Sequence, residues 1–331
     1  MLILTRSQVA AALDRIDPVA VLEEALVLHV DGRARVPGDG HVGWTNSAGA
    51  ACRSLVKLGA LEGEGEPRYG LKVINASLSN VQSGRARAGG LVMLFDQETA
   101  RPTVLADAAL ISAVRTTAYT VSSIRHLGPL APHTLAVIGC GNLARHHLAM
   151  LPAAFPTLAG VRLFDRHPER ARNMPSPLPV TVAATPAEAV RDADVVVCVT
   201  NATEPYLRAE DLTPGTFVAH VSLYDLDPQT FATADAIYVD DLPQVCRYPR
   251  QSLGRFLTEK HPGMPLLDAA HSEVTSTLGH VLTGSLPATR PGGSTVISHP
   301  DGLGILDIAL LNTLLPVARA QGAVTEFDLG M

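Results

Sequence analysis

Residues 135–148, LAVIGCGNLARHHL, have the pattern of a strand followed by a glycine turn and a helix. The continuous apolar run LAVIG is typical of a central parallel strand that is buried on both faces. The segment GCGNLA at 139–144 then has GxGxxA spacing and opens a helix pattern. In that context Gly139 permits a tight turn, Gly141 lets backbone approach a pyrophosphate, and Ala144 lets the helix pack closely on the strand. The stretch therefore predicts a dinucleotide-binding turn.

The next predicted strand, VRLFD at 161–165, ends in a carboxylate 26 residues after Gly139. A carboxylate at this place accepts hydrogen bonds from an adenosine ribose, and it repels a 2′-phosphate. Asp165 therefore favours NAD(H). Arg166 and Arg170 lie beside it, however, and arginine is the residue that accommodates NADP(H) in such sites. NAD(H) is the preferred cofactor and NADP(H) the alternative.

Strand and helix patterns alternate through the middle of the chain after the Pro-containing linker at 128–133. The strand patterns lie at 135–139, 161–165, 180–183, 194–200, 216–222 and 236–241, and the helix patterns lie at 143–151, from Pro168 onward and at 186–191. This alternation with short loops predicts an α/β fold, a Rossmann-type doubly wound parallel sheet.

The two ends of the chain have a different pattern, with helix spacing at 7–16 and 18–30 and again from about Val296. Between these helices we expect a loop-like segment at 32–50, strands at 54–58, 70–77 and 90–96, and one or two helices over 103–127. A chain that leaves a nucleotide domain through one long terminal helix often returns to its first domain. We therefore expect a discontinuous α+β substrate-binding and dimerisation domain (1–112 plus 298–331) around a dinucleotide-binding Rossmann domain (113–297).

Composition narrows the class of protein. The 331 residues suffice for two domains, and 47% hydrophobic with 18% charged residues fits a globular protein. A net charge of −6 and the lack of a basic run argue against a nucleic-acid partner. The four cysteines have no zinc-site spacing, so we expect no metal. No signal-peptide or membrane-span pattern occurs, so we expect a cytoplasmic protein with a small-molecule partner.

Two basic residues stand in apolar surroundings. Lys72 interrupts the run GLKVI at 70–74, and Arg115 directly follows the run ALISAV. Each is either a surface charge or a partly buried cation that binds a substrate carboxylate or polarises a carbonyl or imine. His146 and His147 fit a solvent-facing helix position better than a metal pair. We expect Asp301 and Asp307, in DGLGILD at 301–307, to close a substrate cleft or cap the terminal helix, and a site role is the alternative.

Several segments together resemble the ornithine cyclodeaminase/μ-crystallin family. They are GLKVINASLSN at 70–80, GLVMLFDQETARPTVLADAALISAVRTTAYTVSSIRHL at 90–127, AVIGCGNLARHHL at 136–148, VVVCVTNATEPYL at 195–207 and HPDGLGILDIALL at 299–311. The resemblance covers nearly the whole chain. It implies an NAD(P)-dependent oxidoreductase that acts at an amine or imine carbon, and it implies a homodimer built by the first domain.

Within the family, the sequence is most similar to the dehydrogenases of L-2,3-diaminopropionate biosynthesis. The likeness rests on ACRSL at 51–55, ADAALISAVRTTA at 106–118, HVSLYDLDPQTF at 220–231, ADAIYVDD at 234–241 and GHVLTGSLPATR at 279–290. These enzymes, which serve siderophore or antibiotic biosynthesis, oxidise N-(2-amino-2-carboxyethyl)-L-glutamate and release 2-oxoglutarate. The alternatives are an alanine-type dehydrogenase, a cyclic ketimine reductase, an ornithine cyclodeaminase, or a non-catalytic μ-crystallin-like binding protein.

The resemblance also implies site residues. Substrate carboxylates or the reacting centre would be engaged by Arg53, Lys72 and Arg115, with Lys72 and Arg115 also catalytic. The cofactor would be bound by Gly139, Gly141, Asn142, Leu143, Asp165, Arg166, Thr116, Thr200, Asn201 and Ser222.

One departure from the family pattern concerns its catalytic aspartate, which lies in a Gly-Asp-x-Pro-Gly-Lys segment of the cyclodeaminases. This chain has SLYDLDP at 222–228 instead, and an ungapped match places Tyr224 at the aspartate position. Deamination with ring closure is therefore disfavoured. Asp225 is the candidate acid/base, with Asp227 behind it.

Overall fold

The computed structural model describes residues 1–63, 67–293 and 295–328. The helices, in chain order, are α1 (Arg6–Leu13), α2 (Pro18–Val30), α3 (Ala108–Leu127), α4 (Asn142–Ala154), α5 (Pro168–Arg172), α6 (Pro186–Val190), α7 (Leu242–Val245), α8 (Ser252–Lys260), α9 (Leu266–Glu273), α10 (Leu278–Leu282) and α11 (Gly304–Ala320). Three short 3₁₀ helices cover Leu78–Ser83, Ala209–Asp211 and Pro228–Thr233.

The strands, in chain order, are β1 (Leu2–Leu4), β2 (Ala34–Arg35), β3 (Gly40–Thr45), β4 (Ala51–Leu61), β5 (Arg68–Ser77), β6 (Ala88–Phe95), β7 (Pro102–Asp107), β8 (Thr134–Ile138), β9 (Gly160–Phe164), β10 (Val180–Val182), β11 (Val195–Cys198), β12 (Phe217–His220), β13 (Ala234–Val239), β14 (Ser276–Thr277), β15 (Thr295–Ser298) and β16 (Thr325–Glu326).

The chain divides into two compact units. The first unit combines Met1–Arg115 with Leu303–Met331, and the second unit is Thr116–Gly302. The second unit is therefore inserted into the first, and the first is built from both ends of the chain.

The first unit is an eight-stranded mixed sheet with helices on one face. Its strand order is β16-β1-β7-β6-β5-β4-β2, and β3 also pairs with β4. A buried apolar cluster joins α1 and α11 to β6 and β7, with Val92, Val104, Ile308 and Leu311 among its members. Glycine allows the terminal helix to lie close to the sheet, since a Cβ atom at Gly59 would lie 2.8 Å from the Ile305 side chain.

The other face of this sheet carries a row of apolar side chains. Leu58 pairs with Leu71, Leu71 with Met93, and Met93 with Leu105, so four adjacent strands contribute one residue each. Leu58 is exposed and the other three are half-buried. Apolar residues in register on a partly uncovered sheet face are typical of a surface that packs against another element.

The second unit contains a parallel eight-stranded sheet of order β10-β9-β8-β11-β12-β15-β13-β14. All its pairings are parallel. Every residue of β11, β12 and β15 is buried. The continuous apolar runs of β11 and β12 predict this for strands covered on both faces. The chain moves outward on one side from β8 to β10 and on the other from β11, so the order reverses between β8 and β11. The predicted fold class is confirmed.

Three expectations about local structure were wrong. The loop-like segment 32–50 contains β2 and β3, because β3 pairs along its whole length with β4 although all its residues are exposed. Residues 102–107 form β7 before α3 begins, so the helix does not start near 103. Helical structure does not resume at Val296 either. Residues Thr295–Ser298 form β15, which completes the parallel sheet, and α11 begins only at Gly304.

Within the described ranges, no helix combines the length and the hydropathy that a membrane crossing requires.

Candidate functional site

The glycine turn after β8 has a conformation that only glycine adopts readily. Gly139 has φ +94°, and a Cβ atom there would lie 2.7 Å from the carbonyl oxygen of Val199. Its N–H donates to the carbonyl of Phe164 at 2.8 Å. The turn is therefore held between the end of β9 and the loop after β11, at the reversal of strand order where open α/β sheets bind ligands.

The helix that follows has the form of an anion-binding site. Gly141 is the N-cap of the 13-residue α4, and no side chain caps that end. Apart from Gly141, its chain neighbours and the nearby backbone of α4, no atom of the described residues lies within 4 Å of the place that a Gly141 Cβ would occupy. Asn142 is exposed and Leu143 half-buried in the first turn, whereas Ala144 is fully buried. The backbone N–H groups and the helix dipole can therefore receive a pyrophosphate, which is the fit that NAD(P) requires.

Asp165 lies next to this turn, directly after β9. Its Oδ2 accepts the N–H of Cys140 at 2.8 Å, and its Oδ1 accepts the N–H of His167 at 2.9 Å. Arg166 is exposed and forms no hydrogen bond or ion pair with the described residues. Burial, together with the charge of Asp165, raises the pKa of the Cys140 thiol to about 12. The turn thus presents one oriented carboxylate and no thiolate.

Asp225 is the centre of a buried hydrogen-bond cluster at the carboxyl ends of β11 and β12. Its Oδ1 accepts the hydroxyls of Thr200 at 2.5 Å and Tyr206 at 2.6 Å, and its Oδ2 accepts the hydroxyl of Ser222. His220 Nε2 lies 3.4 Å from Oδ2. Burial raises the pKa of Asp225, but its contacts with His220 and with the Ser222 and Thr200 hydroxyls lower it to about 2.

A second imidazole extends this cluster inward. His220 Nδ1 lies 2.9 Å from His299 Nδ1, and both rings are buried. The backbone N–H groups of Asp225 and Leu226 donate to His220 Nε2 at 3.0 and 3.4 Å. Burial and the neighbouring His220 hold the pKa of His299 well below its usual range. The cluster is therefore continuous from the loop surface into the core of the second unit.

These contacts favour a structural role for Asp225 over the acid/base role expected from the sequence. A general acid or base needs an oxygen that is free to exchange a proton and a pKa near the working pH. Donors already occupy both oxygens of Asp225, and its pKa lies far below neutral. Asp227 is only half-buried, and its Oδ1 accepts the N–H of Gln229 as an N-cap.

The predicted cofactor residues Thr200 and Ser222 are brought together by this cluster. Besides binding Asp225, Ser222 Oγ accepts the backbone N–H of Thr200 at 3.0 Å. Asn201 is exposed beside them. Thr116 lies on α3, where its carbonyl accepts the Thr120 hydroxyl at 3.3 Å.

In the first unit, Lys72 and Arg115 converge on one carboxylate. Lys72 is 1% exposed, and its Nζ lies 2.6 Å from Asp307 Oδ2 and 3.2 Å from Ser112 Oγ. Arg115 Nε lies 3.5 Å from the same Asp307 oxygen. Burial and then the charge of Arg115 lower the pKa of Lys72 to about 7, although Asp307 opposes this shift. Lys72 is therefore not a surface charge.

The third predicted substrate residue is not in this cluster. Arg53 is exposed on β4 and pairs in register with Ala76, four residues along β5 from Lys72. Burial and the charge of Arg53 lower the pKa of Arg87. Neither arginine forms a hydrogen bond or an ion pair through its side chain within the described residues. Two neighbouring guanidinium groups without a carboxylate give this end of the sheet a positive character.

Two further residues lie differently from the first expectation for them. Asp307, for which closing a substrate cleft or capping the terminal helix was expected and a site role was the alternative, lies fully buried on α11 against Lys72 and Arg115. His147 is fully buried rather than solvent-facing. It bonds to the carbonyl of Leu143 at 2.8 Å and the Thr120 hydroxyl at 3.0 Å, and burial lowers its pKa to about 4. No group of three or more His, Cys, Asp and Glu in the described ranges could hold a metal ion.

The sequence pattern of the ornithine cyclodeaminase/mu-crystallin family matches residues 2–320. The chain belongs to this family.

Individual relatives agree with this assignment over the full length. The chain is 26% identical to the N-((2S)-2-amino-2-carboxyethyl)-L-glutamate dehydrogenase of Staphylococcus aureus, over 99% of this chain and 98% of that protein. It is 42% identical to CmnK in a crystal structure with a TM-score of 0.94, covering 99% of this chain and 98% of that one. An archaeal alanine dehydrogenase, solved as a dimer with bound NAD, has a TM-score of 0.84 at 24% identity over 99% of each chain. The last likeness shows the fold alone.

Proposed function

We propose that this chain is an NAD(H)-dependent dehydrogenase that oxidises N-(2-amino-2-carboxyethyl)-L-glutamate to L-2,3-diaminopropionate and 2-oxoglutarate. The structural observation that carries the proposal is the buried meeting of Lys72 and Arg115 on a single carboxylate. Two basic side chains share this one carboxylate, so the Arg115 guanidinium keeps donors for a carboxylate of the substrate. The full-length relative from Staphylococcus aureus supports the particular substrate, which has three carboxylates.

The cofactor part of the proposal rests on the second unit. The uncapped N-terminus of α4 and the open space at Gly141 suit a pyrophosphate, and Asp165 suits an unphosphorylated ribose. NAD(H) is therefore preferred, as in the NAD-bound archaeal alanine dehydrogenase. Arg166 is the residue through which NADP(H) would be accepted instead. Thr116, Thr200, Asn201 and Ser222 complete the proposed cofactor contacts.

The two units take different parts of the reaction. The bound nicotinamide supplies the acceptor for the hydride that leaves the substrate Cα. Arg53 and Arg115 hold substrate carboxylates, for which the planar guanidinium is well suited. Lys72 is placed to take a proton from the water that adds to the imine carbon. Release of the amine then leaves the oxo acid.

The proposed reaction is tested by following NADH absorbance with purified protein and a panel of amino acids. N-(2-amino-2-carboxyethyl)-L-glutamate should be oxidised with the highest kcat/KM, and one 2-oxoglutarate should form per NADH. The panel includes L-alanine, L-proline and L-ornithine, because an alanine-type dehydrogenase, a ketimine reductase or a cyclodeaminase would act on these. Preferred turnover of one of them would replace the proposed substrate. Silence on the whole panel with both NAD and NADP would instead favour a non-catalytic binding protein.

We also propose that the first unit forms a homodimer through its uncovered sheet face. The row Leu58, Leu71, Met93 and Leu105 spans four strands and is apolar throughout. A face of this kind is self-complementary, and twofold isologous dimers are the commonest oligomers. Sedimentation should therefore give about twice the 34.8 kDa chain mass. A monomer at micromolar concentration with full activity would contradict this assembly.

A further inference from the structure

The carboxylate of Asp307 has one oxygen in use and one without a partner. Its Oδ2 receives Lys72 and Arg115, whereas its Oδ1 has no hydrogen-bond partner among the described residues. Asp307 is fully buried. A buried acceptor without a donor is rare in folded proteins, so a bound molecule, either a water or a ligand, is needed to supply the donor.

A buried donor without a partner lies beside it. Arg115 Nε forms no hydrogen bond within the described chain, since its 3.5 Å approach to Asp307 Oδ2 is an ion pair without hydrogen-bond geometry. The pair therefore offers one acceptor and one donor in the same buried place. An α-amino acid carries the complementary groups on a single carbon, an N–H donor and a carboxylate acceptor.

We propose that Asp307 is a catalytic residue, whose Oδ1 accepts a hydrogen bond from the substrate nitrogen while its Oδ2 holds the Lys72 amine that carries the proton. This role adds a catalytic residue to the proposed function, and it rests on that function for the reaction. Arg115 Nε takes the α-carboxylate in the same arrangement. This chain has Tyr224 at the position of the family's catalytic aspartate. In the proposed arrangement, Asp307 of α11 supplies the missing carboxylate.

The substrate nitrogen reacts as a neutral amine with one N–H. The hydride leaves Cα with two electrons, and the nitrogen lone pair forms the C=N bond while the N–H remains on the nitrogen and bonded to Asp307. Water then forms the new C–O bond and gives one proton to the neutral amine of Lys72. As the C–N bond breaks, Lys72 returns that proton to the departing nitrogen, and the remaining hydroxyl proton goes to solvent as C=O forms. The products are the oxo acid, the free amine, NADH and one proton.

The electrostatics of the pocket suit a proton carrier. Lys72 is faced by Asp307 from α11, Arg115 from α3 and Lys57 from β4, and these charges with burial bring its pKa to about 7. It therefore takes up and releases a proton near neutral pH. In the oxidation Lys72 must begin unprotonated, so kcat/KM should rise with pH through about 7 and reach a plateau above it.

The test compares Asp307→Asn with Asp39→Asn. Asp39 forms the second buried lysine–aspartate pair of the same unit, 2.6 Å from Lys57 with both side chains less than a tenth exposed. An amide has one acceptor oxygen where a carboxylate has two, so the side chain of the Asp307→Asn variant cannot serve Lys72 and the substrate nitrogen together. Asp307→Asn should lose at least about 100-fold in kcat/KM. Asp39→Asn should stay within about threefold of the wild type, and NADH affinity should be unchanged in both.

The pH profile separates catalysis from a merely structural loss. Asp307 raises the pKa of Lys72, so its loss should move the rise of kcat/KM to lower pH in Asp307→Asn and leave it near pH 7 in Asp39→Asn. A rise that stays near pH 7 in Asp307→Asn, or a loss no larger than that of Asp39→Asn, would overturn the proposal.

A binding experiment on the wild-type chain covers the case in which Asp307→Asn does not fold. N-(2-amino-2-carboxyethyl)-L-glutamate should bind the NADH complex at least about tenfold more tightly than its analogue with oxygen in place of the bridging nitrogen, which has no N–H for Asp307. Equal binding would refute the role of Asp307. If the chain oxidises a different amino acid, the substrate proposal fails alone. Asp307 is then tested with that amino acid and its hydroxy-acid counterpart.

Discussion

Replacement of Asp225 by Asn tests whether this carboxylate organises the loops of the second unit. The side chain keeps its shape, but it loses its charge and one acceptor for the hydroxyls of Thr200, Tyr206 and Ser222. The pKa of Asp225 falls from 3.8 to about 2 in the folded chain. At about 1.4 kcal/mol for each pKa unit, the charged form contributes about 2 kcal/mol to the free energy of unfolding at neutral pH.

The sign of the pH dependence follows from this depressed pKa. The contribution of Asp225 is fully present above its unfolded value of 3.8, and it is lost as the pH falls through about 2. Urea unfolding at pH 7 should therefore show Asp225→Asn less stable by about 2 kcal/mol or somewhat more. The difference from the wild type should shrink between pH 4 and pH 2.5.

Asp227→Asn is the matched control, because Asn caps a helix as well as Asp does and Asp227 serves mainly as an N-cap. It should unfold near the wild-type urea concentration. NADH titration should give at least a tenfold weaker Kd for Asp225→Asn, with a smaller loss in kcat, because Thr200 and Ser222 are displaced. Wild-type stability in Asp225→Asn would refute the cluster account. A thousandfold loss of kcat with unchanged NADH affinity would return Asp225 to an acid/base role.

Three further predictions concern the cofactor and the assembly. Gly139→Ala should weaken NADH binding at least tenfold, because the new Cβ would meet Val199 backbone at 2.7 Å and the turn needs φ +94°; normal titration would contradict the turn geometry. Asp165→Ser should lower the NAD-to-NADP ratio of kcat/KM at least tenfold, and an unchanged ratio would remove Asp165 from cofactor choice. Leu71→Asp should shift sedimentation from dimer to monomer, whereas the exposed change Leu130→Asp should leave the dimer intact.

The local sequence pattern was sufficient to predict the strands and the glycine turn at the centre of the second unit. The apolar runs of β8, β11 and β12 predict strands buried on both faces, and the glycine spacing predicts the turn after β8. β15 has the same buried character, but it lies between β12 and β13 in the sheet although it follows both in the chain. Nothing local encodes that position, because it is set by pairing with strands more than 50 residues away.

In the candidate site, too, the local sequence predicted some residues, whereas contacts between distant parts of the chain could not be predicted. Lys72 and Arg115 stood out because each interrupts an apolar run. Their partner Asp307 is 235 residues from Lys72, so only the folded chain brings it there. β3 was not predicted because its residues are exposed and do not alternate between apolar and polar. Backbone hydrogen bonds pair it with β4. The burial of Asp225 could not be predicted either, since its segment SLYDLDP mixes polar and apolar residues without the period of a strand or a helix.

The most direct test of the proposed oxidation follows the hydrogen on the glutamate Cα. N-(2-amino-2-carboxyethyl)-L-glutamate carrying deuterium at that carbon should give deuterated NADH, slow turnover under saturating conditions if hydride transfer limits the rate, and release 2-oxoglutarate in equal amount. The isomer with deuterium at the diaminopropionate Cα should give unlabelled NADH. Label from the diaminopropionate carbon, or NADH formed without 2-oxoglutarate, would contradict the assignment of this chain as an N-(2-amino-2-carboxyethyl)-L-glutamate dehydrogenase.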